Sequence, residues 1–370
     1  MSYLVSARKY RPASFDTVIG QRSITTTLRN AIVNQQLAHA YLFCGPRGVG
    51  KTTCARIFAK TINCLNPGGN AEPCNACESC KAFNEGRSMN IHELDAASNN
   101  SVDDIRELVD QVRVLPQVGK YSVYIVDEVH MLSVQAFNAF LKTLEEPPAH
   151  AIFILATTEK HKILPTILSR CQIYDFSRIK ISDVVEHLKY IATREGVVAD
   201  EEALNIIAQK ADGAMRDALS IFDQVVSFCG NELTYARVIE DLNVLDYDYY
   251  FRLTDYFRDG KIGETLLLFN EIMERGFDAG YLLSGLGKHF RDLLVAREPI
   301  TVQLLEVSAS TRERYLQQAR ELDAAFIFDA LVAIEQGEAQ YKTRLDKRFS
   351  AELTLIRLAQ LVEAKKKTLT

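Results

Sequence analysis

The chain has 370 residues, of which 25% are charged and 47% apolar; this is the composition of a globular protein too long for one ordinary core, so we expect two or three domains. Its formal net charge of −5 argues against a surface that attracts nucleic acid by bulk charge, so any DNA site has to be local. No stretch approaches the ~20 uncharged apolar residues of a membrane span, and residues 1–11 lack a hydrophobic signal core, so we expect a cytoplasmic protein without membrane partners.

A glycine-rich segment follows the first strand-like run of the chain. Tyr41–Cys44 predicts a strand, Gly45–Thr52 reads GPRGVGKT, and Thr52–Asn63 has a helical pattern. This order is typical of a phosphate-binding P-loop, in which Lys51 neutralises phosphate charge and the Thr52 hydroxyl reaches Mg²⁺. A glycine-rich turn without a ligand is the alternative. The predicted ATP-binding residues of this segment are Gly45, Pro46, Arg47, Gly48, Val49, Gly50, Lys51, Thr52 and Thr53.

Four of the eight cysteines lie close together in the next part of the chain, namely Cys64, Cys74, Cys77 and Cys80. Two C-x-x-C steps share Cys77, a spacing that lets four thiolates surround one tetrahedral Zn²⁺. Redox chemistry and an iron–sulfur cluster are the alternatives. Because four protein ligands leave no open coordination position, we interpret the zinc as structural.

Strand-like runs alternate with helical patterns as far as residue 176, which predicts an α/β fold with a parallel, doubly wound sheet and the cysteine module inserted between its first two strands. Ser101 to Asp104 predicts a capping box at the start of a helix. The predicted strands after the first are Met89–Leu94, Ser122–Val126, Ala151–Ala156 and Gln172–Phe176, and the later helices are Val102–Val112 and Val134–Leu144.

The strand Ser122–Val126 is followed by two carboxylates, Asp127 and Glu128. At the carboxyl edge of a parallel sheet they face the P-loop. Asp127 is then suited to hold Mg²⁺, and Glu128 to orient or deprotonate the water that attacks the γ-phosphate. Ordinary acidic loop residues are the alternative. The pattern therefore predicts ATP hydrolysis rather than nucleotide binding alone.

From Ile181 onward we expect helices and no further strands. Short breakers separate amphipathic segments, which predicts a lid of three or four helices followed by a second helical block. The apolar stripes of that block suit either a core or an assembly surface. The predicted domains are a nucleotide-binding domain at 1–180 with the cysteine module at about 64–80, a lid at 181–243, and a helical collar at 244–370.

Three further polar residues suit a multi-subunit ATPase. Thr157 ends the strand that follows the acidic pair, where it can sense the γ-phosphate. Arg170 precedes the last strand at a domain edge, outside its own nucleotide site, where it can serve a neighbour. Arg216 begins a helix of the predicted lid and can fold back onto the phosphates. For any single arginine, a surface salt bridge is the common alternative.

In this order the motifs resemble the AAA+ family and, more closely, the gamma/tau family of ATPase subunits of bacterial DNA polymerase III clamp loaders. The resemblance covers about residues 1–242, and the last third only through its helical character. Besides the P-loop and the four cysteines, it is carried by Ala7–Pro12 with Phe15, Val18–Gln21, Leu94–Asn100, Asp127–Leu132, Phe137 and Asn138 with Leu141–Pro147, Ala156–Thr158, Leu168–Cys171 and Arg216–Leu219.

The resemblance implies roles for the polar residues. Thr157 would be the first sensor, Arg216 the second, and Arg170 an arginine finger that completes hydrolysis in the adjacent subunit. The cysteine module would be structural. The adenine pocket would be lined by Arg11, Pro12, Val18 and Ile19.

The resemblance also implies partners: other clamp-loader subunits in a pentamer held by residues 246–364, the sliding clamp, primed DNA, and a replicative polymerase or helicase reached through a C-terminal extension. The expected DNA contacts are Asn100, Ser101 and Lys142. The predicted function is ATP-driven clamp loading, with polymerase activity only in the holoenzyme. Another AAA+ DNA motor and a non-hydrolysing scaffold subunit are the alternatives, and the intact P-loop and acidic pair disfavour the scaffold.

Overall fold

The computed structural model describes residues 4–368, with side chains as far as residue 361. Two compact units share these residues. The first runs to Glu195 and includes Ile207–Gln224, and the second comprises Gly196–Ile206 and the residues from Val225 onward. The predicted division into three domains remains a prediction.

The first unit is built on a five-stranded sheet with the order β2-β3-β4-β1-β5, and every neighbouring pair is parallel. The three central strands are apolar and almost fully buried, as expected when helices cover both faces of a sheet. All five predicted strands are confirmed to within two residues at each end. The strands are β1 (Ala40–Cys44), β2 (Ile91–Asp95), β3 (Ser122–Asp127), β4 (Ala151–Thr157) and β5 (Gln172–Asp175).

Helices pack on both faces of this sheet. The helices as far as residue 195 are α1 (Ser6–Lys9), α2 (Arg22–Val33), α3 (Lys51–Ile62), α4 (Glu78–Asn84), α5 (Val102–Val112), α6 (Val134–Glu145), α7 (Pro165–Leu168) and α8 (Ile181–Glu195), and α2 to α7 contribute to the cores beside the sheet. Phe43 of β1 packs with α2 and α3, whereas its neighbour Leu42 packs with α5 and α6, because successive residues of a strand point to opposite faces. The predicted capping box of α5 is present, since Asp104 N donates to Ser101 Oγ at 3.2 Å and Ser101 N to Asp104 Oδ2 at 3.1 Å.

Strand register brings the ends of three strands to one edge of the sheet. Cys44, the last residue of β1, pairs with Thr157, the last residue of β4. Asp127 ends β3, which pairs with β4 on its other side. Loops that leave the carboxyl ends of parallel strands form the ligand crevice in folds of this class. The topology therefore collects the P-loop, the acidic pair and Thr157 at one place.

Three helices follow α8: α9 (Glu201–Lys210), α10 (Met215–Cys229) and α11 (Tyr235–Asp241). The prediction that strands stop at Ile181 was wrong, because β6 (Val198–Ala199) and β7 (Glu232–Leu233) form a parallel pair. Asp200 N donates to the carbonyl oxygen of Leu233 at 3.0 Å beside this pair. Strands of two residues are too short to show the alternation on which sequence-based prediction depends.

The remaining described residues of the second unit form a helical bundle, as predicted. Its core contains the fully buried rings of Phe257, Phe269 and Phe290. None of the helices in the described part of the chain is long and apolar enough to cross a membrane. The helices are α12 (Tyr247–Asp259), α13 (Ile262–Glu274), α14 (Ala279–Arg297), α15 (Ala309–Glu321), α16 (Ala324–Thr343) and α17 (Lys347–Thr368).

Candidate nucleotide-binding site and cysteine cluster

The P-loop connects β1 to α3, and two of its glycines are required by the backbone. Gly45 has a φ of 143°, and a side chain there would collide with the carbonyl group of Phe176. Gly50, the N-cap of α3, has a φ of 103°, a conformation that residues with a Cβ atom rarely adopt. A Cβ atom at Gly50 would meet no other atom within 4 Å. The loop is thus a turn that only glycine can make, with open space beside it that suits a phosphate.

Lys51 is the first residue of α3, and its side chain is turned into the loop. Its Nζ donates to the carbonyl oxygens of Gly45 and Pro46, each at 2.8 Å, and the residue is only 6% exposed. Burial lowers the pKa of Lys51, whereas the carboxylates of Glu128 and Asp127 act in the opposite direction. An ammonium group is therefore held inside the loop next to two acidic residues.

The next residue, Thr52, meets the end of β3. Its Oγ1 donates to Asp127 Oδ2 at 2.6 Å, and Asp127 Oδ1 accepts from Glu128 N at 2.9 Å. A hydroxyl and a carboxylate side by side are the hard oxygen ligands that Mg²⁺ prefers. The residues present thus fit the metal that the P-loop motif implies.

Glu128 belongs to a polar network that the sequence did not reveal. Its Oε2 accepts from Thr158 Oγ1 at 3.1 Å and lies 3.5 Å from His130 Nδ1. The same His130 nitrogen is 3.0 Å from Oγ1 of the fully buried Thr157, and its Nε2 is 3.0 Å from Glu159 Oε2. His130 thereby connects the predicted sensor Thr157 to the predicted base. The only sequence signal for this network is that two further polar residues, Thr158 and His130, lie within two residues of Thr157 and Glu128.

A cavity of about 400 Å³ opens over the P-loop, within the range of roughly 300–1,000 Å³ that is common for small-molecule sites. The structure brings the predicted adenine-pocket residues to its wall, together with the loop from Arg47 to Thr53, the acidic pair and Arg216. Gly45 and Pro46 lie behind the wall, as partners of Lys51. Residues of the wall that sequence reasoning missed are Val5, Ala7, Arg8, Tyr10, Ile179, His187, Met215 and Leu219.

Long-range hydrogen bonds that the sequence did not predict stabilise this wall at two places. Gln21 is buried, and its Nε2 donates to the carbonyl oxygen of Ser177 at 2.7 Å and to that of Val49 at 3.4 Å, so it connects the P-loop to the segment after β5. Helix α1 is attached to α10 by Ser6 N, which donates to Asp223 Oδ2 at 2.7 Å. Neither contact has a local sequence signal, because the partners are far apart in the chain.

The two predicted arginines have different positions. Arg216 lies at the cavity, and its backbone N–H donates to the carbonyl oxygen of Gly48 at 3.4 Å. Arg170 is not part of the cavity wall. It is exposed just after α7, where its Nη2 lies 2.6 Å from Glu145 Oε1 and its Nη1 donates to the carbonyl oxygen of Thr166 at 2.7 Å.

The four clustered cysteines converge between α3 and α4. Their Sγ atoms all lie within 4.8 Å of one another, and four thiolates around one zinc ion at about 2.3 Å require S–S distances of roughly 3.8 Å. N–H groups of Ala76 and Cys77 point at the Cys74 sulfur and lower the pKa of its thiol to about 6. The donor set fits structural zinc. That the cluster binds zinc remains a prediction.

The predicted DNA contacts lie on α5 and α6. Lys142 is exposed in the last turn of α6. Ser101 uses its own hydroxyl and N–H in the capping box of α5, and the first turn of that helix carries Asp103 and Asp104. A DNA phosphate at Asn100 and Ser101 would therefore have to compete with these carboxylates.

Known protein families account for nearly all of the chain. Residues 20–180 match the family described as "DNA polymerase III, delta subunit". Residues 183–231 match "DNA polymerase III clamp loader subunit, ATPase lid domain". Residues 233–369 match "DNA polymerase III subunits gamma and tau domain III".

Whole-chain relatives decide the family. DNA polymerase III subunit gamma of Buchnera aphidicola subsp. Baizongia pistaciae is 33% identical over 98% of this chain and 98% of its own length. The chain belongs to the gamma/tau family of DNA polymerase III clamp-loader subunits. The α/β fold class and the resemblance to the gamma/tau family predicted from the sequence are confirmed.

Other members of the gamma/tau family are longer. DNA polymerase III subunit tau of Bacillus subtilis is 40% identical over 97% of this chain and 64% of its own length. The Escherichia coli tau subunit is 37% identical over 96% of this chain and 55% of its own length. The chain thus spans between half and two thirds of the length of these two relatives.

Proposed function

We propose that the chain is the ATPase motor subunit of a replicative clamp loader, which uses ATP binding and hydrolysis to open the sliding clamp and load it onto primed DNA within the DNA polymerase III holoenzyme. One observation carries the proposal. The ammonium of Lys51, the Thr52–Asp127 pair and Glu128 meet at the carboxyl edge of one sheet, beside a cavity large enough for a nucleotide.

Each residue of this site has a role in the proposal. Lys51 and the loop N–H groups bind the β- and γ-phosphates, and Thr52 and Asp127 hold Mg²⁺, which supplies charge neutralisation to those phosphates. Glu128, oriented by Thr158, takes a proton from the attacking water. Thr157 senses the γ-phosphate through its contact with His130.

The two arginines act on opposite sides of a subunit boundary. Arg216 contacts the phosphates of its own site, consistent with its position at the cavity. Arg170 reaches the nucleotide of the neighbouring subunit, which requires an exposed side chain outside its own cavity. Hydrolysis then depends on assembly.

The remaining parts of the proposal concern partners. The lid at 181–243 closes on the nucleotide, and the helices at 246–364 join the subunit to a pentameric loader. Asn100, Ser101 and Lys142 contact the backbone of primed DNA. Longer members of the gamma/tau family have a further segment, and a polymerase or helicase would bind to such an extension. The four cysteines hold one Zn²⁺ that stabilises the module between α3 and α4.

The proposed function is tested by steady-state ATPase activity of the chain with its clamp-loader partners. We expect low activity without ligands, and stimulation when sliding clamp and primed DNA are both present. Equal stimulation by any DNA without the clamp would indicate another AAA+ DNA motor. ATP binding without any hydrolysis would indicate a scaffold subunit.

Removal of metal from the cysteine cluster is expected to destabilise the protein without abolishing ATP binding, because the cluster contains no residue of the P-loop. Each kcal/mol lost from a unit of this size lowers the unfolding midpoint by roughly 2–4 °C. The measurement is calorimetric unfolding before and after chelation, with the released metal quantified and the affinity for ATP determined on the same sample.

Two variants and one spectrum accompany that measurement. Cys74→Ser should lose the metal, whereas Cys171→Ser, which lies outside the cluster, should retain it. Broad visible absorption of the purified protein would identify an iron–sulfur cluster instead, and a disulfide in place of bound metal would identify a redox site. Complete loss of ATP binding by a folded, metal-free protein would contradict a structural role.

A further inference from the structure

The loop between Cys64 and Cys74 contacts the N-terminal segment of the chain through the side chain of Glu72. The carboxylate of Glu72 accepts a hydrogen bond from Phe15 N at 2.9 Å and another from Asp16 N at 3.0 Å. These N–H groups belong to the first two residues of the short 3-10 helix Phe15–Thr17. The Glu72 side chain is only 16% exposed, so the contacts are largely shielded from water.

A cation completes this contact. Arg29 of α2 forms ion pairs with both Glu72 and Asp16, and its guanidinium group lies 5.7 Å from the ring centre of Phe15. The Phe15 ring is itself in the core of the first unit. Glu72, Arg29 and the turn at Phe15 therefore form one connected group, which we call the Glu72 clamp.

The clamp holds the middle of a segment whose two ends line the cavity. Arg11 and Pro12 precede the turn, Val18 and Ile19 follow it, and all four belong to the cavity wall. The residues between them do not touch the cavity. Fixing Phe15 and Asp16 therefore fixes the distance and orientation between the two halves of the wall.

The position of Glu72 is set by the cysteine loop. Gly68 N donates to the carbonyl oxygen of Glu72 at 2.8 Å, and Ala71 adopts a positive φ of 53°. Cys74 follows two residues later and is part of the cysteine cluster. The carboxylate is thus presented by a tight turn that is anchored at the cluster.

We propose that Glu72 is a positioning residue that preforms the base-binding part of the nucleotide pocket and thereby couples the cysteine module to ATP affinity. The inference rests on the proposed function, because it requires that the cavity bind ATP. Hydrogen bonds to a charged group are stronger than neutral ones. Ordering a segment costs conformational entropy, and this cost does not weaken ligand binding when the segment is already ordered in the free protein.

The proposal makes a selective prediction, since the clamp acts on the wall around the base and not on the P-loop. Glu72→Ala should weaken Mg·ATP binding about tenfold, because ATP then has to order the segment that Glu72 held. The assumed cost is the free energy of one charge-assisted hydrogen bond. Mg·tripolyphosphate has the phosphates but no base, so it does not use the part of the wall that Glu72 orders. Its affinity should change less than about twofold. Both are measured by displacement of a fluorescent ATP analogue from the whole chain.

Two further variants make the result specific. Glu72→Gln keeps the volume and one acceptor oxygen, so it should show a smaller loss of ATP affinity than Glu72→Ala. Glu85→Ala removes another carboxylate of the same module, one that pairs with the exposed Arg87, and should change neither affinity. Hydrogen exchange at the amides of Phe15 and Asp16 should accelerate in Glu72→Ala and not in Glu85→Ala.

The outcomes separate this inference from the proposed function. If the parent chain does not bind ATP, the proposed function fails. If ATP and tripolyphosphate weaken together in both Glu72 variants, the residue supports the fold in general and the inference is overturned. It is also overturned if the ATP affinity or the two amide exchange rates are unchanged in Glu72→Ala.

Discussion

Lys51→Ala is expected to abolish ATP binding by the isolated chain at ordinary nucleotide concentrations. Lys51 presents its ammonium to the inside of the loop, where two backbone carbonyl oxygens hold it at 2.8 Å. A hydrogen bond to a charged group contributes about 1.5–3 kcal/mol. Loss of two such contacts with the phosphates would lower the affinity by roughly 10² to 10⁴ fold. Equilibrium titration with a fluorescent ATP analogue measures the change.

The variant should remain folded. Burial disfavours the charged form of Lys51 and lowers its pKa, so removing the ammonium also removes a desolvation penalty, which offsets part of the cost of its lost contacts. Lys120→Ala, in an exposed loop, is the control and should bind ATP as the parent does. An affinity within a few fold of the parent would show that the lysine does not contact phosphate.

The chemistry at the sheet edge could be predicted because each part lies next to a strand. Gly45 follows β1, Asp127 ends β3 and Thr157 ends β4. In a parallel sheet the ends of the strands lie at one edge, so local motifs and one topological rule suffice to bring them together. The cysteine cluster is similar, because its spacing alone implies four sulfur atoms at one point.

The rest of the cavity wall depends on contacts between distant segments. His187 and Met215 come from α8 and α10 and reach the cavity only when the tertiary fold brings those helices to the P-loop. Gln21 and Glu72 form hydrogen bonds with backbone groups. Every residue type can supply such a group, so no sequence pattern indicates these contacts. Met215 and Leu219 lie four residues apart on one face of α10, but that spacing does not indicate that the face borders the cavity.

The contact between His130 and Thr157 also could not be predicted from the sequence. His130 follows Glu128 by two residues, yet its contact with Thr157 joins β4 to the segment after β3. A histidine at that position is compatible with many environments. Only the register between β3 and β4, with Val126 opposite Leu155, puts its ring beside the predicted sensor.

Arg170→Ala is expected to leave ATP binding intact and to reduce clamp- and DNA-stimulated turnover about 10³ fold, the usual effect of removing an arginine finger. Binding should persist because Arg170 is not among the residues that line its own cavity. The two quantities are measured on the same preparation, by nucleotide titration and by steady-state turnover of the assembled loader.

The ion pair between Arg170 and Glu145 provides the matched control. If Arg170 served only as a partner for Glu145, whose Oε1 lies 2.6 Å from it, then Glu145→Ala should reproduce the effect of Arg170→Ala. Exposed pairs of this kind contribute about 0–1 kcal/mol to stability. A finger predicts a different result: Glu145→Ala keeps the arginine and retains most of the turnover.

A mixing experiment tests whether the arginine acts across a subunit boundary. Lys51→Ala lacks its own nucleotide site but keeps Arg170, and Arg170→Ala keeps its nucleotide site but lacks the finger. Since the proposed active site combines Lys51 of one subunit with Arg170 of its neighbour, assembling the two inactive variants together should restore part of the stimulated turnover. Activity that stays absent in the mixed loader, with both variants shown to be present, would assign Arg170 to its own subunit.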